Sequence, residues 1–320
     1  MAHRWTTQDI PDLTGRTALV TGANAGLGRE ITRILAEHGA RVLMACRNLD
    51  KAEATAAAIR ATQPAGSVDV RQLDLARLAS VRSLSEVVLH DEAALDMLVN
   101  NAGLMAVDES RTEDGFEMQF GVNHLGHFAL TAHLMPLLLA TPGSRVVSMS
   151  SMGHRGGRMR FDDPMYERRS YRRWPAYTQS KLANMLFTEE LQRRLGPDAP
   201  TRALAAHPGG SHTDLGFEGS GLSNRIIKKV VPFFTQPASA GALPAVRAAT
   251  DPTAAGGEFY GPRYLVRGRP VREVPSRRAR RADDARKLWE LSERLTGMTI
   301  ETAAPTAEAD VADQPVVSAE

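Results

Sequence analysis

The sequence predicts an α/β fold in which a single doubly wound, parallel sheet of about seven strands carries helices on both faces. Apolar runs of strand length alternate with longer helical patterns through the first two thirds of the chain, which is typical of repeated strand–helix–strand units. Polar or glycine-containing turns follow several of these runs, where parallel strands would end. The chain has 320 residues, of which 42% are hydrophobic, so it can fill a sizeable core.

The predicted strands are separated by helical intervals. They span residues 17–21, 41–46, 68–73, 95–99, 145–149, 201–206 and 257–260. Two insertions interrupt the alternation: residues 155–175, which are crowded with Arg, Asp and Tyr, and residues 216–236, where Gly and Ser precede an apolar stretch. Open parallel sheets bind ligands beyond the carboxyl ends of their strands, so we expect these insertions to form the walls and lid of a substrate pocket; surface decoration is the alternative.

The end of the chain has two parts. Residues 283–296 predict a packed helix because their leucines are spaced for one face, whereas residues 301–320 lack periodicity and predict a disordered tail. The sequence therefore predicts one domain over residues 1–300.

The bulk composition bounds the possible partners and location. The formal net charge of +2 gives no reason to expect nucleic acid as the principal partner. A lone cysteine, Cys46, cannot form an intramolecular disulfide, and residues 1–13 lack a signal-peptide pattern, so we expect a cytoplasmic protein. No apolar run is long enough for a membrane-spanning helix, which leaves peripheral membrane contact only.

A glycine-rich turn follows the first predicted strand and leads at once into an amphipathic helix. Its residues are Thr21, Gly22, Ala23, Asn24, Ala25, Gly26, Leu27 and Gly28. Glycines let the backbone approach a pyrophosphate closely, and the free amides and dipole of the helix N-terminus favour its negative charge. In this context the turn predicts a dinucleotide site.

The end of the second strand bears on the choice of cofactor. NAD enzymes usually carry an acidic residue there to hold the ribose 2′-hydroxyl, whereas this chain has Cys46 and Arg47. A guanidinium suits a 2′-phosphate through charge-assisted hydrogen bonds, so the sequence favours NADP(H) over NAD(H). Arg47 as a solvated loop residue is the alternative.

Two further strand ends carry candidate adenosine contacts. Asp74 could accept from the adenine amino group while Leu75 packs on the ring, although Asp74 could equally cap the following helix. Asn101, Ala102 and Gly103 would permit close approach to adenosine, although simple turn chemistry also produces Asn and Gly there.

The catalytic candidates are Tyr177 and Lys181, one turn apart on a predicted helix, together with Ser150 and Ser151 after the fifth strand. A free phenol has a pKa of about 10, and a nearby ammonium should lower that pKa and make the phenol a usable acid or base.

Taken in order, these motifs resemble the short-chain dehydrogenase/reductase family, with its Rossmann-type fold, over about residues 12–264. The runs at residues 45–48, 123–128 and 207–209 are most similar to retinol-dehydrogenase-like reductases. The resemblance implies an NADP(H)-dependent oxidoreductase that interconverts a carbonyl and an alcohol.

The resemblance also implies roles for single residues. Tyr177 exchanges the proton, Lys181 supports it and binds the nicotinamide ribose, and Asn123 organises a water that links Lys181 to solvent. Ser151 holds the substrate oxygen; it is preferred over Ser150 because the second serine matches the family's pattern.

Further implications concern the nicotinamide site and the oligomer. Pro208, Gly209 and Thr213 match the segment that shapes the nicotinamide site, where the Thr213 hydroxyl could bond the carboxamide. A homodimer through the helices of Asn123 and Tyr177 is expected. The insertion at residues 155–175 accounts for the wide spacing of Ser151 and Tyr177, and a comparable insertion occurs in the retinol-dehydrogenase-like branch.

Several alternatives stay open. One is an NADP(H)-binding redox sensor without turnover, against which the intact set of Asn123, Ser151, Tyr177 and Lys181 argues. Another is a carbon–carbon double-bond reductase related to protochlorophyllide reductases, which share the Tyr and Lys pair. Residues 224–234 predict a lid for a lipophilic substrate with weak peripheral membrane contact, although a core helix would also explain their apolar content. His124 and His127 lack a third ligand of suitable spacing, so no metal is predicted.

Overall fold

The computed structural model describes residues 4–210 and 236–302. These residues form one eight-stranded sheet in the order β3-β2-β1-β4-β5-β6-β7-β8. The strands are β1 (Thr17–Thr21), β2 (Arg41–Cys46), β3 (Ser67–Gln72), β4 (Met97–Asn100), β5 (Arg145–Met149), β6 (Arg202–Ala206), β7 (Phe259–Pro262) and β8 (Pro270–Glu273). The first seven pair in parallel, which confirms the predicted doubly wound sheet.

The predicted count of seven strands was one short. β8 pairs antiparallel with β7 and forms one edge of the sheet. It is a four-residue strand in an arginine- and proline-rich stretch, and such a stretch carries no alternating apolar pattern that would reveal it.

Helices cover both faces, as predicted. They are α1 (Gly26–Glu37), α2 (Leu49–Arg60), α3 (Leu78–Asp91), α4 (Met118–Phe120), α5 (Gly126–Ala140), α6 (Arg173–Leu195), α7 (Ala238–Thr250) and α8 (Ala282–Thr296). Successive β1 side chains alternate between the two cores: Ala18 and Val20 pack with α1, α2 and α7, whereas Leu19 packs with α3, α5 and α6. From β1 the chain first adds β2 and β3 on one side and then returns to add β4 on the other side. The strand order therefore reverses between β1 and β4, and such a reversal opens a crevice for a ligand.

Two local features position the crevice residues. A single π-helical turn (Gly121–Leu125) joins α4 to α5 and presents Asn123, and such turns occur often at functional sites. The terminal helix α8 packs on α6, where Trp289 stacks on Phe187 with ring centroids 6.0 Å apart. Only residues 301 and 302 of the predicted tail, and only Gln236 of the insertion at 216–236, lie within the described residues.

Candidate active site

The turn between β1 and α1 can be built only with glycine at several positions. Gly22 and Gly26 have φ of +65° and +50°, in the left-handed region that disfavours other residues. A Cβ at Gly28 would stand 2.2 Å from the carbonyl oxygen of Gly22. Ala25 at the N-cap makes no side-chain cap, so the first-turn amides of α1 remain available to an anion.

A buried network around Thr21 joins this turn to the end of β4. The Thr21 hydroxyl oxygen accepts from the backbone N–H groups of Asn101 and Ala102, each at 2.9 Å. The Asn101 side chain donates to the Thr21 carbonyl at 2.8 Å. Asn101 therefore braces the turn through its side chain, which is the turn-chemistry reading of this residue.

His127 completes the network in its neutral form. Its Nδ1 lies 3.1 Å from the Asn123 carbonyl oxygen, which can only accept, so Nδ1 carries the proton. Nε2 then accepts from the Thr21 hydroxyl at 2.9 Å. Burial, followed by the Lys181 charge, lowers the pKa of His127 to about 4.

A cavity of about 280 Å³ opens at the carboxyl ends of β1, β2, β3 and β4. It is lined by Gly22, Asn24, Ala45, Arg47, Asn48, Lys51, Leu73, Asp74, Leu75, Ala102, Gly103, Leu104 and Val122. The structure thus gathers the predicted strand-end residues around one space, together with several that sequence reasoning missed. Lys51 was detectable, because it is a basic residue one helical turn after Arg47.

The two charged candidates in this cavity are held differently. Arg47 is exposed, and its carbonyl accepts from the Gln72 side chain at 3.1 Å. Asp74 accepts from the backbone N–H of Ala76 at 3.0 Å and does not cap α3. Asp114 does so, accepting from the N–H of Leu78 at 2.9 Å. The helix-capping alternative for Asp74 is therefore wrong.

A second, smaller cavity adjoins the first and contains the catalytic candidates. It is lined by Leu27, Asn101, Gly103, Leu104, Met105, Met149, Ser150, Tyr177, Lys181 and Pro208. Gly103 and Leu104 line both cavities, so one elongated molecule could occupy the two. Met105 and Met149 were not singled out from the sequence, since methionine is common in any core.

Lys181 and Tyr177 share one face of α6 and are both buried. The Lys181 ammonium donates to the Met149 carbonyl at 3.1 Å and lies 6.0 Å from the centroid of the Tyr177 ring. Burial lowers the pKa of Lys181 to about 8. Burial also raises the pKa of Tyr177, against the opposing effect of a hydrogen bond with Ser151.

The expected lysine-induced lowering of the Tyr177 pKa was therefore wrong for this arrangement. The ammonium donates to the Met149 carbonyl and lies 6.0 Å from the centroid of the Tyr177 ring, and burial penalises the charged phenolate by more than the hydrogen bond with Ser151 favours it.

The two serines after β5 have different partners. Ser150 donates to the Lys181 carbonyl at 2.9 Å and so helps to dock α6 on the sheet. Ser151 begins a short 3-10 turn (Met152–Arg155), accepts from the N–H of Gly153 at 3.1 Å and is hydrogen-bonded with Tyr177. Of the two serines, Ser151 is therefore the one that is hydrogen-bonded with Tyr177.

Asn123 is fully buried and uses its side-chain amide for protein contacts. Its oxygen accepts from the N–H of Leu104 at 2.7 Å, and its nitrogen donates to the Leu104 carbonyl at 2.9 Å and to the Ser180 hydroxyl at 2.8 Å. A Cβ at Gly103 would stand 3.1 Å from the Asn123 oxygen and 3.3 Å from the Lys181 nitrogen. Asn123 therefore holds the loop after β4 against α6, close to Lys181.

The segment after β6 supplies one more wall. Pro208 lines the smaller cavity, and Gly209 has φ of +67° with the Val266 carbonyl 2.4 Å from an added Cβ. Thr213 lies outside the described residues, as does the predicted lid at residues 224–234. The residues on either side of this gap meet, because the N–H of Gln236 donates to the Gly210 carbonyl at 2.7 Å.

His124 and His127 have separate hydrogen-bond partners. His124 is hydrogen-bonded with the Ser292 hydroxyl at 2.8 Å, whereas His127 is hydrogen-bonded with Thr21. Across residues 4–210 and 236–302, no group of three or more metal-binding side chains occurs. In the same ranges, no helix has the length and hydropathy to cross a membrane.

The chain is similar in sequence and in fold to known proteins. The short chain dehydrogenase family model matches residues 16–219. Human retinol dehydrogenase 13 is 39% identical over 293 residues, covering 89% of this chain and 86% of that protein.

Two solved structures share the fold. That of an uncharacterized protein from Mycobacterium paratuberculosis superposes with a TM-score of 0.78 at 43% identity, covering 93% of this chain and 100% of that one. That of an NAD(P)-dependent gluconate 5-dehydrogenase from Beutenbergia cavernae, with NADP bound at low occupancy, has a TM-score of 0.61 at 25% identity, covering 78% and 96%.

Proposed function

Because the chain belongs to the short-chain dehydrogenase/reductase family and acts on an alcohol or a carbonyl group, we propose that it uses NADP(H) as cofactor and a lipophilic molecule as substrate. The observation that carries the proposal is the meeting of Tyr177, Ser151 and Lys181 beside the glycine turn. The retinol dehydrogenase relative and the apolar side chains of Leu104, Met105 and Met149 support a lipophilic substrate.

The residues around the two cavities fit a dinucleotide. A Cβ at Gly22 would stand 3.0 Å from Ala102, and one at Gly28 would stand 2.2 Å from the Gly22 carbonyl oxygen, so only glycine lets the turn fold this tightly. The tight turn brings the free amides at the start of α1 toward a pyrophosphate. We assign the pyrophosphate to this turn and the other parts of NADP(H) to the cavity walls. The assigned residues are Gly22, Asn24, Ala25, Gly26, Leu27 and Gly28 for the phosphates; Asp74, Leu75, Asn101, Ala102 and Gly103 for adenosine; and Tyr177, Lys181, Pro208, Gly209 and Thr213 for the nicotinamide end.

The preference for NADP(H) rests on charge. Arg47 and Lys51 stand at the cavity where a 2′-phosphate would lie, and both are exposed. Paired guanidinium hydrogen bonds to phosphate are charge-assisted and strong. The Beutenbergia cavernae protein, which has NADP bound, supports the same choice.

The bound cofactor supplies the hydride, and the chain supplies positioning and the proton. Ser151 donates a hydrogen bond to the substrate oxygen, and Tyr177 donates its phenolic proton as negative charge develops on that oxygen. The raised pKa of Tyr177 keeps it protonated at neutral pH, ready for reduction. For alcohol oxidation it must lose that proton, and the Lys181 ammonium on the same helix face stabilises the phenolate.

Asn123 acts in this scheme as a positioning residue. Its contacts with Leu104 and Ser180 hold the loop after β4 against the catalytic helix. The water through which it would link Lys181 to solvent stays a prediction.

The organisation of the chain is also proposed. Residues 1–300 form one catalytic domain, with residues 155–175 beside the substrate pocket. The homodimer, the cytoplasmic location and the weak peripheral membrane contact stay predictions.

The proposed chemistry is tested with Tyr177→Phe. NADPH oxidation is followed with retinoid, steroid, fatty aldehyde and small ketone substrates, and products are identified with an enone to separate carbonyl from double-bond reduction. We expect the variant to lose about 10²- to 10⁴-fold in kcat with an unchanged unfolding midpoint. Wild-type turnover by a folded variant would refute the acid/base role, and tight NADPH binding without turnover of any substrate would favour the redox sensor.

A further inference from the structure

A groove beside the catalytic helix is lined by arginine side chains and one tryptophan. It is lined by Arg158, Arg160 and Arg169 and by Trp174 and Thr178, which lie one turn apart near the start of α6. None of these residues has a role in the proposed hydride-transfer chemistry.

The charge of this region is unbalanced. Residues 155–173 contain seven arginines and three acidic residues, a formal charge of +4 within a chain whose net charge is +2. Arg169 is neutralised by Asp163, whose carboxylate lies 3.4 Å away. Arg158 and Arg160 are exposed, and no carboxylate of the described part of the chain lies within ion-pair distance of either.

The neighbouring segments add to this positive charge. Arg278 donates to the Gly157 carbonyl at 3.0 Å, which brings another guanidinium to the edge of the groove. Two carboxylates of neighbouring segments are paired with other arginines of the insertion: Glu273 with Arg155, and Asp108 with Arg173. Unneutralised arginines around a concave surface attract and orient anionic groups.

Gly153 packs between Thr178, which lines the groove, and the catalytic residues Ser151 and Tyr177. A Cβ at Gly153 would stand 3.3 Å from the Thr178 methyl group, 3.4 Å from the Ser151 hydroxyl and 3.4 Å from the Tyr177 ring. Trp174 meets the same ring edge-on, with centroids 6.0 Å apart. Trp174 thus lines the groove and also contacts the catalytic tyrosine, so the groove begins beside the position where a substrate carbonyl would meet Ser151 and Tyr177.

We propose that this groove binds the anionic end of an amphiphilic substrate, a carboxylate or phosphate held by Arg158 and Arg160, with the adjoining apolar part on Trp174. The proposal rests on the proposed carbonyl reduction and narrows its substrate class. It assigns a specificity function to the arginine-rich insertion.

The kinetic test compares an ω-oxo fatty acid with the alkanal of the same chain length. The wild type should have a KM for the oxo acid that is about fivefold to tenfold lower than its KM for the alkanal. The double variant Arg158→Gln/Arg160→Gln should lose this difference, while its kcat/KM for the alkanal should stay unchanged. The matched control, Arg82→Gln/Lys287→Gln, removes the same charge from exposed positions on α3 and α8 and should keep the advantage. Equal kinetics for both substrates in wild type, or an equal loss in the control, would overturn the proposal.

A binding test separates failure of this proposal from failure of the proposed function. Trp174 is partly exposed, whereas Trp5 and Trp289 are 4% and 1% exposed, so tryptophan fluorescence reports on the groove. A long-chain dicarboxylate should quench it in wild type, but not in Arg158→Gln/Arg160→Gln or Trp174→Phe, even if no carbonyl is turned over. The proposal is wrong if the dicarboxylate does not quench. The proposal is also wrong if binding of the dicarboxylate does not depend on the two arginines while binding of inorganic phosphate or of phosphatidylserine vesicles does. The groove would then bind a separate anion or a lipid surface.

Discussion

The hydroxyl of Thr21 lies 2.9 Å from Nε2 of His127, and this buried hydrogen bond ties the glycine turn to the helix that follows Asn123. Because the same hydroxyl oxygen accepts from two backbone N–H groups after β4, one side chain holds three parts of the candidate active site together.

Replacing Thr21 with valine should therefore weaken both stability and cofactor binding. Valine has a similar shape but leaves the N–H groups of Asn101 and Ala102 unpaired, so we expect the free energy of unfolding to fall by about 1–3 kcal/mol. Urea denaturation and NADPH fluorescence titration measure the two effects. Thr21→Ser keeps the hydroxyl and should retain most of both; equal losses in serine and valine variants would show that the hydroxyl is not responsible.

Stability should fall as the pH is lowered from 7 to 5. Burial lowers the pKa of His127 and of His154 to about 4, whereas an unfolded histidine has a pKa of about 6.5. Between these values the unfolded chain binds more protons than the native one, so protonation favours unfolding by about 2 kcal/mol per histidine at pH 5.

Urea denaturation at a series of pH values checks this dependence. His127→Gln removes one titrating group, so its stability should change less between pH 7 and pH 5 than that of the wild type. An identical pH dependence in the two proteins would mean that His127 does not contribute.

The serine pair offers a matched test of catalysis. Ser151→Ala removes the hydroxyl that meets Tyr177 and should lower kcat about 100-fold, as loss of an oxyanion donor does. Ser150→Ala loses a hydrogen bond to the Lys181 carbonyl and should lower stability by about 1 kcal/mol with little change in kcat. Steady-state kinetics and denaturation on both variants would refute the assignment if the effects were reversed.

Cofactor preference should depend on Arg47 and, less strongly, on Lys51. Removing a charge-assisted contact to a 2′-phosphate costs about 1.5–3 kcal/mol, so Arg47→Ala should raise KM for NADPH about 10- to 100-fold and leave NADH kinetics nearly unchanged. Lys51→Ala should also raise KM for NADPH, but by a smaller factor, since lysine acts as a single point charge. Parallel losses with NADPH and NADH would argue against a 2′-phosphate contact.

Gly28→Ala should abolish dinucleotide binding. Alanine would normally favour a helix, but here its Cβ would meet the Gly22 carbonyl oxygen at 2.2 Å and distort the phosphate turn. Gly143→Ala is the control: its φ of +81° predicts a stability loss of about 1 kcal/mol, while nothing lies within 4 Å of the added Cβ. Equal NADPH affinity in wild type and Gly28→Ala would contradict the assignment of the turn.

The sequence by itself determined the fold and the location of the candidate site. Strand-length apolar runs alternating with helices predict the parallel sheet, and the residues that follow those runs must gather at one edge, because parallel strands all end there. Gly22, Arg47, Asp74 and Gly103 line one cavity for that reason alone.

Only the tertiary structure decided which hydroxyl, amide or carboxylate does what. Ser150 and Ser151 are adjacent in sequence, yet one docks α6 and the other meets Tyr177. Asp114, not Asp74, caps α3, although it follows β4 and lies 36 residues beyond Leu78. These roles depend on contacts between residues distant in the chain. The burial of Tyr177 depends on such contacts too, and it raises the pKa that the local Tyr177–Lys181 spacing predicted to be lowered. A local pattern specifies which groups are available, but their partners and solvation are set only when the elements pack.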